Sequence, residues 1–271
     1  MAAIAFSFAT TCRDRLQDLR RTLPTNLQRL GEDCEIVLLD YGCPQHCGQW
    51  AIASCAAAVA AGKLRVYRDD HATRFIAPHA KNVAHLLAEG QVIVNLDADN
   101  YLTNRFLSDL RSIDWTRTDL VHPCNYAQGG WTGRIAVRAN AFRETGGYDE
   151  RLNIGYAYED IDLVERFRAR RRRCQCVPVE EDSVIPTPPE LKRAWQLDPL
   201  MSLRESNMRH RAMSRQAIIA GRLIANAGQR WGATTVRILH QPGYVRLTGV
   251  LDGHEVREVC LENRASAWHG G

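Results

Sequence analysis

Short apolar runs and helix-like segments alternate through the first hundred residues, and this alternation limits the chain to a few folds. The apolar runs end at Thr10, Asp40 and Asp97. Strands separated by helices are joined by right-handed crossovers, which gives a mainly parallel sheet with both faces covered. Ligands of such sheets bind beyond the carboxyl ends of the strands. The alternation therefore predicts an α/β fold whose binding site contains the residues at these strand ends.

The pattern changes in the second half of the chain. Residues 189–231 have the apolar spacing of helices, and residues 232–271 contain three strand-like runs separated by turn signals. We predict a main domain over 1–188, a helical extension over 189–231 and a small antiparallel β appendage over 232–271. Near the start of the chain, residues 15–30 favour a helix in which Pro24 marks a break or a second start.

The composition is that of an ordinary globular protein, with 45% hydrophobic and 24% charged residues and a net charge of +4. The apolar start has no basic flank and no run is long enough to cross a bilayer, so we expect a cytoplasmic protein. Nine cysteines are scattered without the spacing of a disulfide framework. Cys43, His46, Cys47 and Cys55 lack the paired spacing of a zinc knuckle, so reduced, buried thiols are favoured over structural zinc.

Two carboxylates one residue apart follow the apolar run Val92-Ile93-Val94. Residues i and i+2 of an extended chain face the same side, so Asp97 and Asp99 can aim at one point. Oxygen ligands suit a hard divalent cation, and such a cation can carry a substrate diphosphate. A solvated turn after a buried strand is the alternative interpretation.

A second group of carboxylates follows the turn Gly146-Gly147-Tyr148-Asp149-Glu150. Glu159 and Asp160 stand at the start of a predicted helix, where free amide hydrogens and the helix dipole favour negative charge. Plain capping of the helix is one interpretation. A carboxylate that stays ionised there could also accept a proton from an acceptor hydroxyl.

With these motifs in this order, the chain resembles glycosyltransferases of the GT-A fold. It is most like family 2, with a galactosyltransferase-type second half, from about Ala5 to Pro186. The resemblance is carried by residues 10–13, Asp40, residues 80–82, Asp97-Ala98-Asp99, residues 146–150 and Glu159-Asp160. It implies a metal-dependent enzyme of the hexosyltransferase type, with a nucleotide-sugar-binding half over 1–100 and an acceptor-binding half over 101–188. It does not indicate which sugar is transferred, and a small molecule or a glycan is the expected acceptor.

The resemblance implies a set of donor-binding residues. Thr10 and Arg13 would line the nucleotide pocket, and Asp40 would bind the base or the ribose. Lys81 stands where the family has a basic residue near the diphosphate or the sugar, and Asn82 follows it as in the family pattern. The donor would be a nucleoside-diphosphate sugar, with UDP as the expected nucleotide.

The resemblance also assigns the metal and the chemistry. Asp99, with Asp97, would bind Mn²⁺ or Mg²⁺, and Asp97 would also face the ribose or the donor sugar. Asp160 would be the general base for a single displacement that inverts the anomeric centre. Glu159 would hold the acceptor or orient the base. Further acceptor contacts would come from Gly130, Trp131, Tyr156 and Tyr158.

One family feature is missing from the sequence. Many relatives carry a third metal ligand, a histidine, 25 to 30 residues after the base. Here that region reads Val184-Ile185-Pro186-Thr187-Pro188, and the next histidine is His210. The diphosphate and water, or a residue such as Asp182, would have to complete the coordination.

Three alternatives remain open at this point. Arginines concentrate just after the second carboxylate motif, so the same chemistry could act on a nucleic acid such as a hydroxymethylated base in DNA. A nucleotidyltransferase usually has a glycine-rich loop after its first strand, which this chain lacks. A non-catalytic sugar-nucleotide-binding module would not need intact carboxylates. The arginines of the first alternative are Arg168, Arg170, Arg171, Arg172 and Arg173.

Overall fold

The computed structural model describes residues 4–124, 133–155, 157–194, 197–198 and 200–262. Within these residues the strands are β1 (Phe6–Cys12), β2 (Cys34–Asp40), β3 (Leu64–Arg68), β4 (Val92–Asn95), β5 (Leu120–Pro123), β6 (Ala136–Arg138), β7 (Cys174–Val177), β8 (Thr234–Ile238), β9 (Gly243–Leu251) and β10 (His254–Leu261). The helices are α1 (Leu16–Arg29), α2 (Cys47–Ser54), α3 (Ala56–Ala60), α4 (Ala77–Leu87), α5 (Asn104–Ser112), α6 (Ala139–Glu144), α7 (Glu159–Ala169), α8 (Pro189–Ala194) and α9 (Leu203–Ile219), with a 3-10 turn at Glu181–Ser183.

All ten described strands form one sheet in the order β10-β9-β8-β3-β2-β1-β4-β6-β5-β7. The central strands β3, β2, β1 and β4 are parallel, and β6 joins β4 in the antiparallel sense. Every residue of β1 and β2 is buried, as expected for strands covered on both faces by crossover helices. The predicted α/β fold with a mainly parallel centre is confirmed.

Helix α1 corrects one detail of the prediction, because it runs through Pro24 without a break. Proline has no amide hydrogen and removes one helical hydrogen bond. Leu19 and Leu23 are nevertheless almost fully buried in the core. Packing of this apolar face outweighs the lost bond, because tertiary burial contributes more to helix stability than local propensity.

The predicted antiparallel strands at the end of the chain extend the central sheet. Strand β8 pairs with β3 through Tyr67–Ile238 and Arg68–Arg237, and β9 and β10 follow as antiparallel neighbours. Val236 and Val245 are buried in the same core cluster as residues of β2 and α4. The division into domains stays a prediction.

No described helix is both long enough and apolar enough to cross a membrane. The predicted cytoplasmic location stays a prediction.

Candidate active site

The two carboxylate motifs meet at one end of the sheet. Asp97 and Asp99 lie in the turn that follows β4, while Glu159 and Asp160 open α7. A third element contributes a cation, Lys81, from α4. Asp99, Glu159, Asp160 and Lys81 are all buried. The turn after β4 and the start of α7, although distant in sequence, therefore bring four carboxylates to the same site.

Lys81 joins α4 to the first turn of α7. Its ammonium group lies 2.8 Å from Glu159 Oε1, 2.8 Å from Asp160 Oδ1 and 2.9 Å from Asp160 Oδ2. Burial opposes the charge of Lys81, but the carboxylates of Asp160 and Glu159 outweigh it and raise the pKa of Lys81 well above its ordinary value. Lys81 is thus a fixed cation that orients the predicted base.

The pKa of Asp160 is raised toward neutral pH. Burial raises its pKa to about 7, Lys81 opposes this rise, and Glu159 and Asp97 add to it. A general base works best when its pKa lies near the working pH. A buried carboxylate with a raised pKa and a specific charge partner is a candidate catalytic group, and the role of Asp160 as base stays a prediction.

Gly133 leaves a small space between Asp97 and Asp160. A Cβ atom at this glycine would lie 2.7 Å from Asp97 Oδ2 and 3.1 Å from Asp160 Oδ2. The other oxygen of Asp97 accepts a hydrogen bond from the Asn95 amide at 3.0 Å. Asp97 and the predicted base therefore flank one cradle that any side chain at position 133 would fill.

Asp99 is held by internal contacts. Its Oδ2 lies 2.9 Å from Arg15 Nη2 and accepts the Thr187 hydroxyl at 3.0 Å, and its Oδ1 accepts the Asn100 amide at 2.6 Å. Burial, followed by repulsion from Asp97, raises the pKa of Asp99 despite the arginine. The guanidinium of Arg15 therefore covers one side of the Asp99 carboxylate, the predicted metal ligand.

Thr187 stands in the stretch where family members carry a histidine ligand. Arg15 Nη1 lies 2.8 Å from its hydroxyl oxygen, so Arg15, Thr187 and Asp99 form a closed triangle of contacts. Asp182, the other ligand considered from the sequence, is exposed. His210 donates from Nδ1 to the Ala157 carbonyl at 2.7 Å, just before α7, and its Nε2 is buried without a partner among the described residues.

Arg134 is a second buried cation that the sequence analysis missed. Its guanidinium contacts Asn100 Oδ1 at 2.8 Å and the Ser183 hydroxyl at 2.8 Å. Burial lowers its pKa to about 10, against the pull of Asp97 and Asp99. The sequence offered only weak signals for Arg15 and Arg134, namely their positions just after β1 and just before β6.

The backbone before α7 is strained. Ala157 and Tyr158 have φ angles of 83° and 87°, a region that residues with a Cβ rarely adopt. Such strain persists only where the surroundings fix it, and it concentrates at functional sites. The Tyr158 hydroxyl bonds Glu165 at 3.3 Å, and its acceptor role stays a prediction.

Four predicted donor-binding residues make internal contacts in this structure. Arg13 donates to the carbonyls of Tyr41, Gly42, Ala72 and Thr73, and Asn82 bonds both backbone groups of Tyr148. Asp40 is completely buried and accepts the amides of Cys43 and Gly48 together with Arg68. Thr10 is buried in β1. Donor binding by these residues stays a prediction, and for Asp40 the geometry favours a purely structural role.

Gly130, Trp131 and Tyr156, three of the predicted acceptor residues, lie outside the described residues. The arginines at and after the end of α7 are described, and four of them make contacts within the protein, Arg173 with the Thr116 carbonyl among them. Arg172 pairs with Glu144, Arg170 donates to the Glu144 carbonyl, and Arg168 contacts His122. Arg170 lies ten positions after Asp160, and the rise of the helix over this distance is about 15 Å.

Neither protein-family models nor curated proteins match this sequence. Several solved structures resemble it in fold. A mannosyltransferase from Pyrobaculum calidifontis, solved with GDP-Man and Mn²⁺, aligns over 79% of this chain and 75% of its own, with TM-score 0.53 and 14% identity. A Drosophila β-1,4-galactosyltransferase 7 variant, solved with manganese, UDP-Gal and xylobiose, aligns over 97% and 96%, with TM-score 0.53 and 15% identity.

TarS of S. aureus, residues 1–349, aligns over 65% of this chain with TM-score 0.50 and 15% identity. This chain spans only 58% of that TarS chain. At these identities the comparisons establish the fold, and the fold is GT-A, as the sequence resemblance predicted.

Proposed function

We propose that this protein is a glycosyltransferase that moves a sugar from a nucleoside-diphosphate sugar to an acceptor hydroxyl. The observation that carries the proposal is the meeting of Asp97 with Asp160 across Gly133 at the carboxyl end of the sheet. A sugar donor bound beyond β4 would place its reactive carbon between a diphosphate-binding side and a base. A displacement at an anomeric centre requires this arrangement, with the leaving diphosphate on one side of the carbon and the base on the other.

The donor set fits a hard divalent cation. Asp97 and Asp99 provide carboxylate oxygens, and Asp97 Oδ2 faces the cradle at Gly133. To bind the ion, Asp99 would have to release its contact with Arg15. The Arg15 guanidinium could then bind the diphosphate. When bound, Mn²⁺ or Mg²⁺ would neutralise the charge of the departing nucleoside diphosphate. Thr187 would take the position of the family's third ligand.

Asp160 would remove the proton of the acceptor hydroxyl. Lys81 contacts both of its oxygens and fixes the carboxylate, and the pKa of about 7 allows it to take up a proton at neutral pH. With one base and no second carboxylate assigned as nucleophile, the reaction would be a single displacement with inversion. Glu159, on the same lysine, would help to hold the acceptor.

UDP is the proposed nucleotide. Of the resembling proteins, the galactosyltransferase was solved with UDP-Gal and the mannosyltransferase with GDP-Man. The galactosyltransferase alignment extends over nearly the whole of both chains, which favours a UDP-linked donor here.

Nucleotide binding tests the proposal directly. Melting curves would be recorded with UDP, GDP, CDP and dTDP, each with and without Mn²⁺. A ligand at about 100 times its Kd stabilises the native state by about 2.7 kcal/mol. We expect UDP to raise the Tm, Mn²⁺ to enlarge the rise, and Asp99→Ala to abolish the enlargement, with the exposed Asp114→Ala as control. No response to any nucleotide would contradict the proposal.

A nucleic-acid acceptor is not favoured. Arg168 contacts His122, and Arg170 and Arg172 contact Glu144, at the end of α7 remote from Asp160. DNA binding that weakens steeply with salt would be the evidence for it. No contact in the described residues favours a nucleotidyltransferase or a binding module over the transferase.

A further inference from the structure

Three cysteines from separate segments converge beside the strand ends. Cys12 ends β1, Cys43 follows β2, and Cys47 begins α2. Their sulfur atoms all lie within 4.8 Å of one another, and all three side chains are buried. The sequence analysis considered Cys43 and Cys47 but missed Cys12, which precedes Cys47 by 35 positions.

Hydrogen bonds hold the three segments of the cluster against one another. The Cys47 thiol donates to the Cys12 carbonyl at 3.7 Å, which joins the start of α2 to the end of β1. Asp40, at the end of β2, accepts the backbone amides of Cys43 and Gly48. The three sulfur atoms are therefore held near one point.

Charged groups beside the cluster are paired with one another or bound to the backbone. Arg68 donates to the Cys43 carbonyl at 3.2 Å and pairs with Asp40, which accepts the Cys43 amide at 2.8 Å. Arg13 donates to the carbonyl of Gly42. A single buried cysteine packs as a small apolar group. Three buried sulfurs that converge from separate segments within 4.8 Å of one another can instead provide the ligands of one ion.

We propose that Cys12, Cys43 and Cys47 bind one soft, thiophilic d¹⁰ metal ion through three thiolates. Thiolate ligands select soft and borderline metals over the hard cations that prefer carboxylates. This site is therefore chemically distinct from the carboxylates at Asp97 and Asp99. The ion would tie together the ends of β1 and β2 and the start of α2, and each protonated thiol would release its proton to solvent on binding.

Cadmium is the probe, because cadmium–thiolate bonds absorb in the near ultraviolet in proportion to their number. The reduced full-length protein would be titrated with Cd²⁺ while absorbance and proton release are recorded. We expect saturation at one equivalent, a band with the intensity of three Cd–S bonds, and a rise in Tm. Zn²⁺ added afterwards should compete for the same site.

Single variants identify the ligands. Cys12→Ser, Cys43→Ser and Cys47→Ser should each weaken the band and remove the Tm increase. Cys55→Ser, which changes a buried cysteine outside the cluster, should leave both unchanged. Circular dichroism verifies that each variant is folded, and any one folded ligand variant suffices for the test. No band at one equivalent, or equal losses in Cys55→Ser, would overturn the proposal.

Discussion

At the scale of the residue, the main feature is Asp160, a carboxylic acid whose pKa is raised by the fold. Asp160 is buried beside Glu159 and Asp97, and one lysine only partly offsets their charge. An unfolded aspartate titrates near 3.8, whereas burial moves this one to about 7. Ionised Asp160 therefore lowers stability at the pH where it would be useful as a base, which is typical of functional groups.

Asp160→Asn should separate activity from stability. We expect transfer to fall about 10²- to 10⁴-fold, the usual contribution of general base catalysis. Because its folded pKa is raised, Asp160 reduces stability progressively as pH rises from about 4 to 7, and the full reduction persists above that. The asparagine variant should thus melt no lower than the native protein at pH 8. Glu165→Gln on the same helix is the control, and full activity in Asp160→Asn would contradict the assigned base.

Lys81→Met should shift the pH dependence of transfer. The native rate is expected to rise with pH and level off above about 7, as Asp160 ionises. Without the ammonium group, the pKa of Asp160 should rise further, so the acid limb of kcat/KM moves to higher pH. Lys63→Met is the matched control. A rate loss with an unmoved profile would mean that Lys81 acts on the donor instead of on the base.

Arg15→Gln should strengthen metal binding in the absence of nucleotide. Arg15 competes for Asp99, and its removal leaves that carboxylate without its cation. We expect Mn²⁺ affinity, measured by electron paramagnetic resonance, to improve roughly tenfold, which corresponds to about 1.4 kcal/mol. Arg20→Gln, in the next turn of α1, is the comparison. Unchanged affinity in Arg15→Gln would indicate that Asp99 is not a metal ligand.

At the scale of the element, α4 is held against the turn after α6 by hydrogen bonds between a side chain and the backbone. Asn82 donates to the Tyr148 carbonyl and accepts its amide, and its neighbour Lys81 reaches α7. Gly147 makes this approach feasible, because its φ is +63° and a Cβ would lie 2.6 Å from both Asn82 Oδ1 and the Trp231 ring. The site is therefore positioned by a close contact between elements.

Gly147→Ala tests this contact against a matched glycine. Gly221 also has a positive φ of +73°, but a Cβ there would meet nothing within 4 Å. Gly221→Ala should cost about 1 kcal/mol from backbone strain alone. Gly147→Ala should cost about 1–3 kcal/mol more, from the added clash. Chemical denaturation measures both, and equal losses would show that the clash relaxes freely.

At the scale of the whole molecule, the last strands belong to the central sheet. Val236 on β8 is fully buried, and Trp231 just before it packs edge-on against Phe142 at 5.8 Å. Arg143 after that phenylalanine pairs with Glu255 on β10. The stability of the site thus depends on residues that lie more than 70 positions after Asp160 in the sequence.

Removing residues 232–271 should unfold the protein. The deletion takes away several buried side chains worth about 1.5–3 kcal/mol each, against a total stability of about 5–15 kcal/mol. Two single substitutions in these strands give a test in which the loss of unfolding free energy can be measured. Val236→Ala should cost about 2 kcal/mol, while Val256→Ala, 56% exposed, should cost less than about 0.5 kcal/mol. A truncated protein with native Tm would show that these strands are an independent appendage.

Local pattern alone determined the strand–helix order, the parallel centre of the sheet and the two carboxylate motifs. These features depend on the period of apolar residues and on the positions of strand ends, and both can be recognised from residues that are close in sequence. The antiparallel tail was also predictable, but not its place beside β3, because the pairing of β8 with β3 joins segments separated by more than 160 residues.

Only the tertiary structure brought together the groups that tune the site. The contacts of Arg15 with Asp99, of Lys81 with Asp160 and of Cys12 with Cys43 cross the chain without any periodic signal. The continuity of the helix through Pro24 likewise depends on packing against segments outside the helix. Sequence determines which faces are buried, whereas the partner of a polar group depends on which distant elements the common core brings together.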